Sequence, residues 1–142
     1  MTLDKEPVKI SDAIRIAKKY YDDNTFNHAM RVAGYISEND TIPIAYKDEC
    51  IALAIMHDLL EDTRYDGGGL PDNFKLALKS LTKPINISYE CYCNRLRDTK
   101  NTSWKICAYW VKLADIKDHL NLTDTLTDKL KEKYLSGLRY LL

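Results

Sequence analysis

The sequence predicts an all-α fold, a compact single-domain helical bundle of about seven helices spanning residues 1–142, and three observations carry that expectation. Apolar residues recur at helical spacing almost from end to end. Five glycines and four prolines are too few for a sandwich rich in tight turns, and no segment reads as a strand. The length falls within the roughly 100–200 residues expected of one domain, with no internal repeat and no composition shift to mark a linker.

The elements follow from their start and stop signals. Ser11 followed by Asp12 reads as the N-cap of a first helix that sets Ile14, Ala17 and Tyr21 on one face. A second begins near Asn24 or Thr25, carries Phe26, Met30, Ala33 and Ile36, and stops at Asn39 and Pro43. The third runs from about Ala45 to Leu60 and is apolar on most sides between Cys50 and Met56, which assigns it to the middle of the bundle. Gly67, Gly68 and Gly69 then read as a helix-to-helix connection or a lid, without a phosphate-loop pattern. Asp72 caps a short helix through Leu81, broken by Lys83-Pro84, and Ser88 caps the next. Thr102 or Ser103 opens a long helix to about Leu120. Thr123 or Asp124 opens the last, with a stripe of Leu126, Leu130, Leu138 and Leu141.

Twenty-one basic and twenty-one acidic side chains give a formal charge of zero, which argues against nucleic acid or an anionic membrane as a partner held by bulk electrostatics. The longest strongly apolar run is the seven residues from Cys50 to Met56, against about 20 for a membrane span, and no apolar core follows a basic start. The expected location is therefore the cytoplasm. In that compartment Cys50, Cys91, Cys93 and Cys107 are expected as reduced thiols. Cys91 and Cys93 lack the second pair that a zinc site requires, which leaves packing as their role.

One segment resists a simple bundle reading. His57-Asp58-Leu59-Leu60-Glu61-Asp62 places an imidazole and three carboxylates directly after the most apolar stretch. On a continuous helix all four project toward one sector, and their mutual repulsion falls if a cation sits among them. An acidic helix end facing water is the alternative, although it opposes the macrodipole. Asp115 continues the stripe Trp104, Ala108, Val111 at a position that calls for an apolar residue. His28, four residues before Val32, also abuts an inward face, where a lone histidine is more often a hydrogen-bonded core residue than a ligand. Taken together, His28, His57, Asp58 and Asp115 offer two imidazoles and two carboxylates from three helices. That donor set suits Mn²⁺, Fe²⁺ or Zn²⁺ better than Ca²⁺ or a thiolate zinc site.

The order H…HD…D resembles the HD-domain metal-dependent phosphohydrolases. The string His57-Asp58-Leu59-Leu60-Glu61-Asp62-Thr63 is similar to the HDxxEDT signature of RelA/SpoT-type hydrolases and their small stand-alone relatives, and Val111-Lys112-Leu113-Ala114-Asp115 resembles their VKLAD. The likeness runs from residue 11 to about 121. It implies an all-helical HD fold with one divalent metal ion, usually Mn²⁺, held by His28, His57, Asp58 and Asp115, with Glu61 and Asp62 as the catalytic acidic pair. It further implies removal of the 3′-pyrophosphate of ppGpp and pppGpp, while some relatives act on other phosphorylated nucleotides, NADPH among them.

The chain departs from that pattern in two places. The segment 22–27 before His28 is short, and Ile116-Lys117-Asp118-His119 stands where R-L-x-N is common, so His119 replaces a substrate-contacting asparagine. Basic residues must line the mouth of a site that admits several phosphates. Lys18 and Lys83, in neighbourhoods where the family uses basic residues, are candidates with Lys112, and Tyr89 is a candidate to stack on a base. His119 is expected either in the same cleft or as an exposed helix-end histidine. With only three histidines in the chain, a mononuclear centre is expected. Three functions fit these residues: an alarmone hydrolase, a nucleotidase or nucleotide 2′- or 3′-phosphatase, and a non-catalytic helical interaction protein with a structural cluster.

Overall fold

The computed structural model describes residues 7–99 and 106–142. Among them every regular element is helical: α1 (Ile10–Tyr20), α2 (Asp23–Glu38), α3 (Ile44–Met56), α4 (Leu59–Asp62), α5 (Asp72–Ser80), α6 (Tyr89–Asp98), α7 (Ile106–Asn121) and α8 (Asp128–Leu141). Seven have nine residues or more and α4 is a single turn, so the all-α bundle of about seven helices stands as the sequence predicts. None of these helices is long and apolar enough to cross a membrane.

The apolar run is the reason α3 lies at the centre. Cys50 and the five residues from Ala52 to Met56 are buried, and α1, α2, α5 and α7 pack around them. α8 lies across α6 and α7 at the far side. α6 and α8 approach closely at residue 137: a Cβ added to Gly137 would meet the Tyr89 ring and the Cys93 sulfur.

Three helices start on side-chain caps. Asp22 Oδ1 accepts from the Thr25 amide at 2.7 Å, Ser88 Oγ from that of Cys91 at 3.1 Å, and Thr127 Oγ1 from that of Leu130 at 3.1 Å. Several starts differ from expectation. Ser11 lies inside α1, whose first turn closes on the Lys9 carbonyl, and Asp72 is the first residue of α5, behind Pro71. The last helix opens at Thr127 rather than Thr123 or Asp124, because a turn from Leu122 to Thr125 intervenes. Leu126 therefore precedes α8 and Leu130 is exposed, which leaves Leu138 and Leu141 as the packed part of that stripe. The expected opening at Thr102 or Ser103, and Trp104 with it, lie outside the described residues.

Gly67 and Gly69 adopt φ of +80° and +85°, a region that disfavours any side chain, and the Leu70 amide donates to the Gly67 carbonyl. With Leu70 buried, the segment is a packed connection between α4 and α5. The expectation of reduced thiols is corrected for one pair. Cys50 on α3 and Cys107 on α7 are disulfide-bonded across 57 residues of chain, their Cα atoms 5.0 Å apart. Compartment reasoning missed this because the pairing arises from two buried helix faces meeting, which Cys spacing does not encode. Cys91 and Cys93 are free, one exposed and one buried.

Candidate metal centre

The expected continuous helix from Ala45 to Leu60 breaks at His57 and Asp58. α3 ends at Met56, His57 and Asp58 form a turn, and α4 begins at Leu59. The cause is a competition for backbone partners. His57 Nδ1–H donates to the Ala54 carbonyl at 2.6 Å, the acceptor that the Asp58 amide would use in an unbroken helix. The Asp58 amide donates instead to the Tyr21 hydroxyl at 3.1 Å, and the helical ladder resumes with the Asp62 amide on the Asp58 carbonyl. A turn that would otherwise lose a hydrogen bond is thus completed by a side chain from the end of α1.

α2 brings His28 and α7 brings Asp115 to this turn, both buried. His28 Nε2 lies 2.8 Å from Asp115 Oδ1, and His57 Nε2 lies 3.3 Å from the same oxygen. Asp58 Oδ2 is 3.2 Å from His57 Nε2 and 3.8 Å from His28 Nε2. Thus the four residues singled out in the sequence come together.

The hydrogen bonds behind the two imidazoles fix their state. His28 Nδ1 faces Asp118 Oδ2 at 2.6 Å and His57 Nδ1 faces a carbonyl, and neither partner can donate, so both Nδ1 atoms carry the proton. In neutral rings the two Nε2 lone pairs would then point at carboxylate lone pairs. That arrangement is repulsive unless a positive charge sits between them, supplied by protons on Nε2 or by a metal cation. The proton affinities agree. Burial acts to lower the His57 pKa, yet the charges of Asp58 and Asp115 outweigh it and hold it well above the ordinary value. His28 is raised in the same way, chiefly by Asp115 against burial. Burial would raise the Asp115 pKa, but the Lys112 charge and hydrogen bonds from His119, His28 and His57 hold it far below the carboxylate range. Buried imidazoles with oriented Nδ1 protons, whose Nε2 atoms face ionised carboxylates, fit a divalent transition metal.

The remaining expected residues divide. Glu61 and Asp62 sit on α4, exposed beside the turn, and burial together with Asp58 and Glu61 raises the Asp62 pKa. Lys112 donates to Asp115 Oδ2 at 2.9 Å and lies 5.3 and 5.2 Å from the Tyr89 and Tyr92 ring centres, so its charge is spent on the Asp115 carboxylate and on these two rings. His119 reaches the cleft, with Nε2 3.2 Å from Asp115 Oδ1. Lys83 and Lys18 take other partners. The Lys83 ammonium donates to the carbonyls of Pro84 and Ile87 while its amide donates to Glu61 Oε2, and the Lys18 ammonium lies 6.0 Å from the Phe26 ring centre. A cavity of about 550 Å³ on another face of α7, lined by Tyr35, Trp110 and Leu113 among others, includes none of the centre's side chains.

Sequence reasoning missed Asp118, Arg31, Tyr21, Lys133 and Tyr134. Asp118, only 1% exposed, orients His28 and is itself held by Arg31 Nε at 2.9 Å. Its signal was present, since Val111, Asp115 and Asp118 continue one helical stripe. Lys133 lies over the rings of Tyr89 and Tyr134. The Tyr21 hydroxyl had no local signal. No protein-family model matches the chain, and no curated protein matches it significantly.

Proposed function

We propose that the chain is a metal-dependent phosphohydrolase of the HD type acting on a phosphorylated nucleotide, with removal of the (p)ppGpp 3′-pyrophosphate as its leading reaction. The observation that carries this reading is the meeting of His28, His57, Asp58 and Asp115, with both imidazole Nδ1 protons tied back, beside an acidic pair on the next helical turn. Mn²⁺ is the ion the resemblance favours, with Fe²⁺ or Zn²⁺ compatible with the same donors. Such an ion, when bound, lowers the pKa of a coordinated water and polarises a phosphoryl oxygen.

The chain's own residues do the rest. His28 and Asp115 are held in position by Asp118 and Lys112. Asp62, whose raised pKa lets it carry a proton closer to neutral pH, serves as the group that takes or returns one, with Glu61 alongside to orient the nucleophile. Lys133, exposed over the Tyr89 ring and over the Tyr134 ring that stacks on His119, is a cation offered to a phosphate. The substrate of this reading is a small nucleotide.

The half-buried imidazole of His119 beside Asp115 favours a second reading with the same metal. In it the enzyme is a nucleotidase or a 2′- or 3′-phosphatase, releasing orthophosphate from NADPH or a nucleoside monophosphate.

Incubation of the Mn²⁺-loaded protein with ppGpp, NADPH and nucleoside mono- and triphosphates separates the two. Pyrophosphate from ppGpp alone is the expected result, whereas orthophosphate from the other substrates supports the second reading. Replacing both members of the acidic pair, Glu61→Gln with Asp62→Asn, is expected to lower turnover about 10²–10⁴-fold while the metal stays bound. Unchanged turnover would remove the pair from the mechanism, and a wild-type protein inert toward the whole panel would leave a structural cluster as the better account.

A further inference from the structure

We propose that His119 is a fifth protein ligand of the same ion, so that the centre presents three imidazole nitrogens and two carboxylates. The inference rests on the reading of the centre as a metal site and adds to it a residue that the resemblance places on the substrate side.

Three features of the geometry point to it. First, three imidazole Nε2 atoms, from His28, His57 and His119, converge on the single oxygen Asp115 Oδ1 at 2.8, 3.3 and 3.2 Å. The other oxygen of that carboxylate is already taken by Lys112. As a mere hydrogen-bond donor His119 would be redundant there, but as a ligand it adds a lone pair at the point where the others gather. Second, Asp115 and His119 are four residues apart on α7, the helical spacing at which two side chains chelate one ion. The donor atoms of His28, Asp115 and His119 lie within 4.8 Å of one another, as do those of His28, His57 and Asp58. Third, the ring is held for the task. His119 stacks on Tyr134 with centroids 4.6 Å apart and planes 4° from parallel, and its centroid lies 4.6 Å from that of His28. With its side chain 32% exposed, His119 closes the outer side of the cluster without sealing it.

The chemical consequence is a shift in ion preference. A third imidazole turns a balanced set of two imidazoles and two carboxylates into a nitrogen-rich one, which steepens the preference for Co²⁺, Zn²⁺ or Fe²⁺ over Mn²⁺.

The test uses the full chain, stripped with a chelator and reloaded with Co²⁺, and reads the visible absorption of the ion and its dissociation constant. His119→Phe keeps a flat ring against Tyr134 but removes the nitrogens, and His119→Asn removes the ring as well. Both variants are expected to alter the Co²⁺ spectrum and to weaken Co²⁺ binding by at least the 10–100-fold, roughly, that loss of an orienting partner brings, with a smaller loss for Mn²⁺. An unchanged spectrum and affinity in the variants would overturn the fifth ligand and leave the four-residue centre standing. Failure of the wild-type chain to bind Co²⁺, Zn²⁺ or Mn²⁺ would overturn the metal reading itself. A measurement without substitution covers the case of a misfolded variant: nitrogen couplings to Mn²⁺ in unaltered protein labelled with ¹⁵N-histidine are expected to count three imidazoles, and a count of two refutes the proposal.

Discussion

The two ends of the α3–α7 pair make opposite use of burial. At one end Cys50 and Cys107 meet among apolar neighbours such as Ala108 and Leu53 and are joined covalently. Seven residues on along α3, and eight along α7, the meeting pair is His57 and Asp115. Because His57 directly follows α3 and the two contacts come in the same order along both helices, α3 and α7 run side by side in one direction. The cysteine end is satisfied by packing and a covalent bond. The histidine end is equally buried but filled with groups that stay in conflict until positive charge is supplied. The covalent contact and the charged cluster therefore occupy different turns of one helix pair.

The largest expected break in that contrast is Asp115→Asn. It removes the carboxylate charge that compensates Lys112 and faces three imidazoles, and loss of one partner from a buried ion pair is expected to destabilise the fold by about 3–5 kcal/mol. Urea unfolding in the presence of a chelator checks this, and the same variant is expected to lose metal binding. A change under about 1 kcal/mol would mean that the ion pair is not a net contributor.

Next comes the cysteine end. Joint replacement, Cys50→Ala with Cys107→Ala, is expected to lower stability by about 2–4 kcal/mol and to leave the affinity for Mn²⁺ unchanged. Calorimetry paired with metal titration tests both halves. A parallel fall in metal affinity would show that the covalent end also sets the spacing of the ligands.

The smallest effect sharpens the comparison by lying outside both ends. Asp22 caps α2, the helix that carries His28, and its hydrogen bonds to Thr25 hold its pKa below the ordinary 3.8. A depressed carboxyl pKa contributes stability that is present above the unfolded value and lost as pH falls through the folded one. The difference in stability between wild type and Asp22→Ala is therefore expected to be constant from neutral pH to about 5 and to shrink below 3.8. A difference that persists undiminished at pH 2 would assign the effect to something other than the charged cap.

Much of this was legible in advance because it is local. The long helices follow from apolar spacing, and Asp115 betrayed itself as a charge in an apolar stripe. The caps at Ser88 and Asp22 show the limits of such reading: Ser88 was evident, whereas α2 begins a residue or two earlier than its apolar face suggests. What escaped depends on residues far apart in the chain. The break at His57–Asp58 needs the Tyr21 hydroxyl, 37 residues earlier, and the Cys50–Cys107 bond needs two faces already packed. Asp118 lay within reach of the same stripe argument that found Asp115, but an aspartate near a helix end passes easily for a surface charge until His28 and Arg31 close around it.

Gly137 has an effect at a distance. Where a methyl group would collide with Tyr89, α8 settles onto α6, and one turn earlier on α8 the Tyr134 ring lies flat against His119. An atom missing from one rod thereby aims a nitrogen on another, so α8 acts as the backstop that keeps the pocket's rim in register.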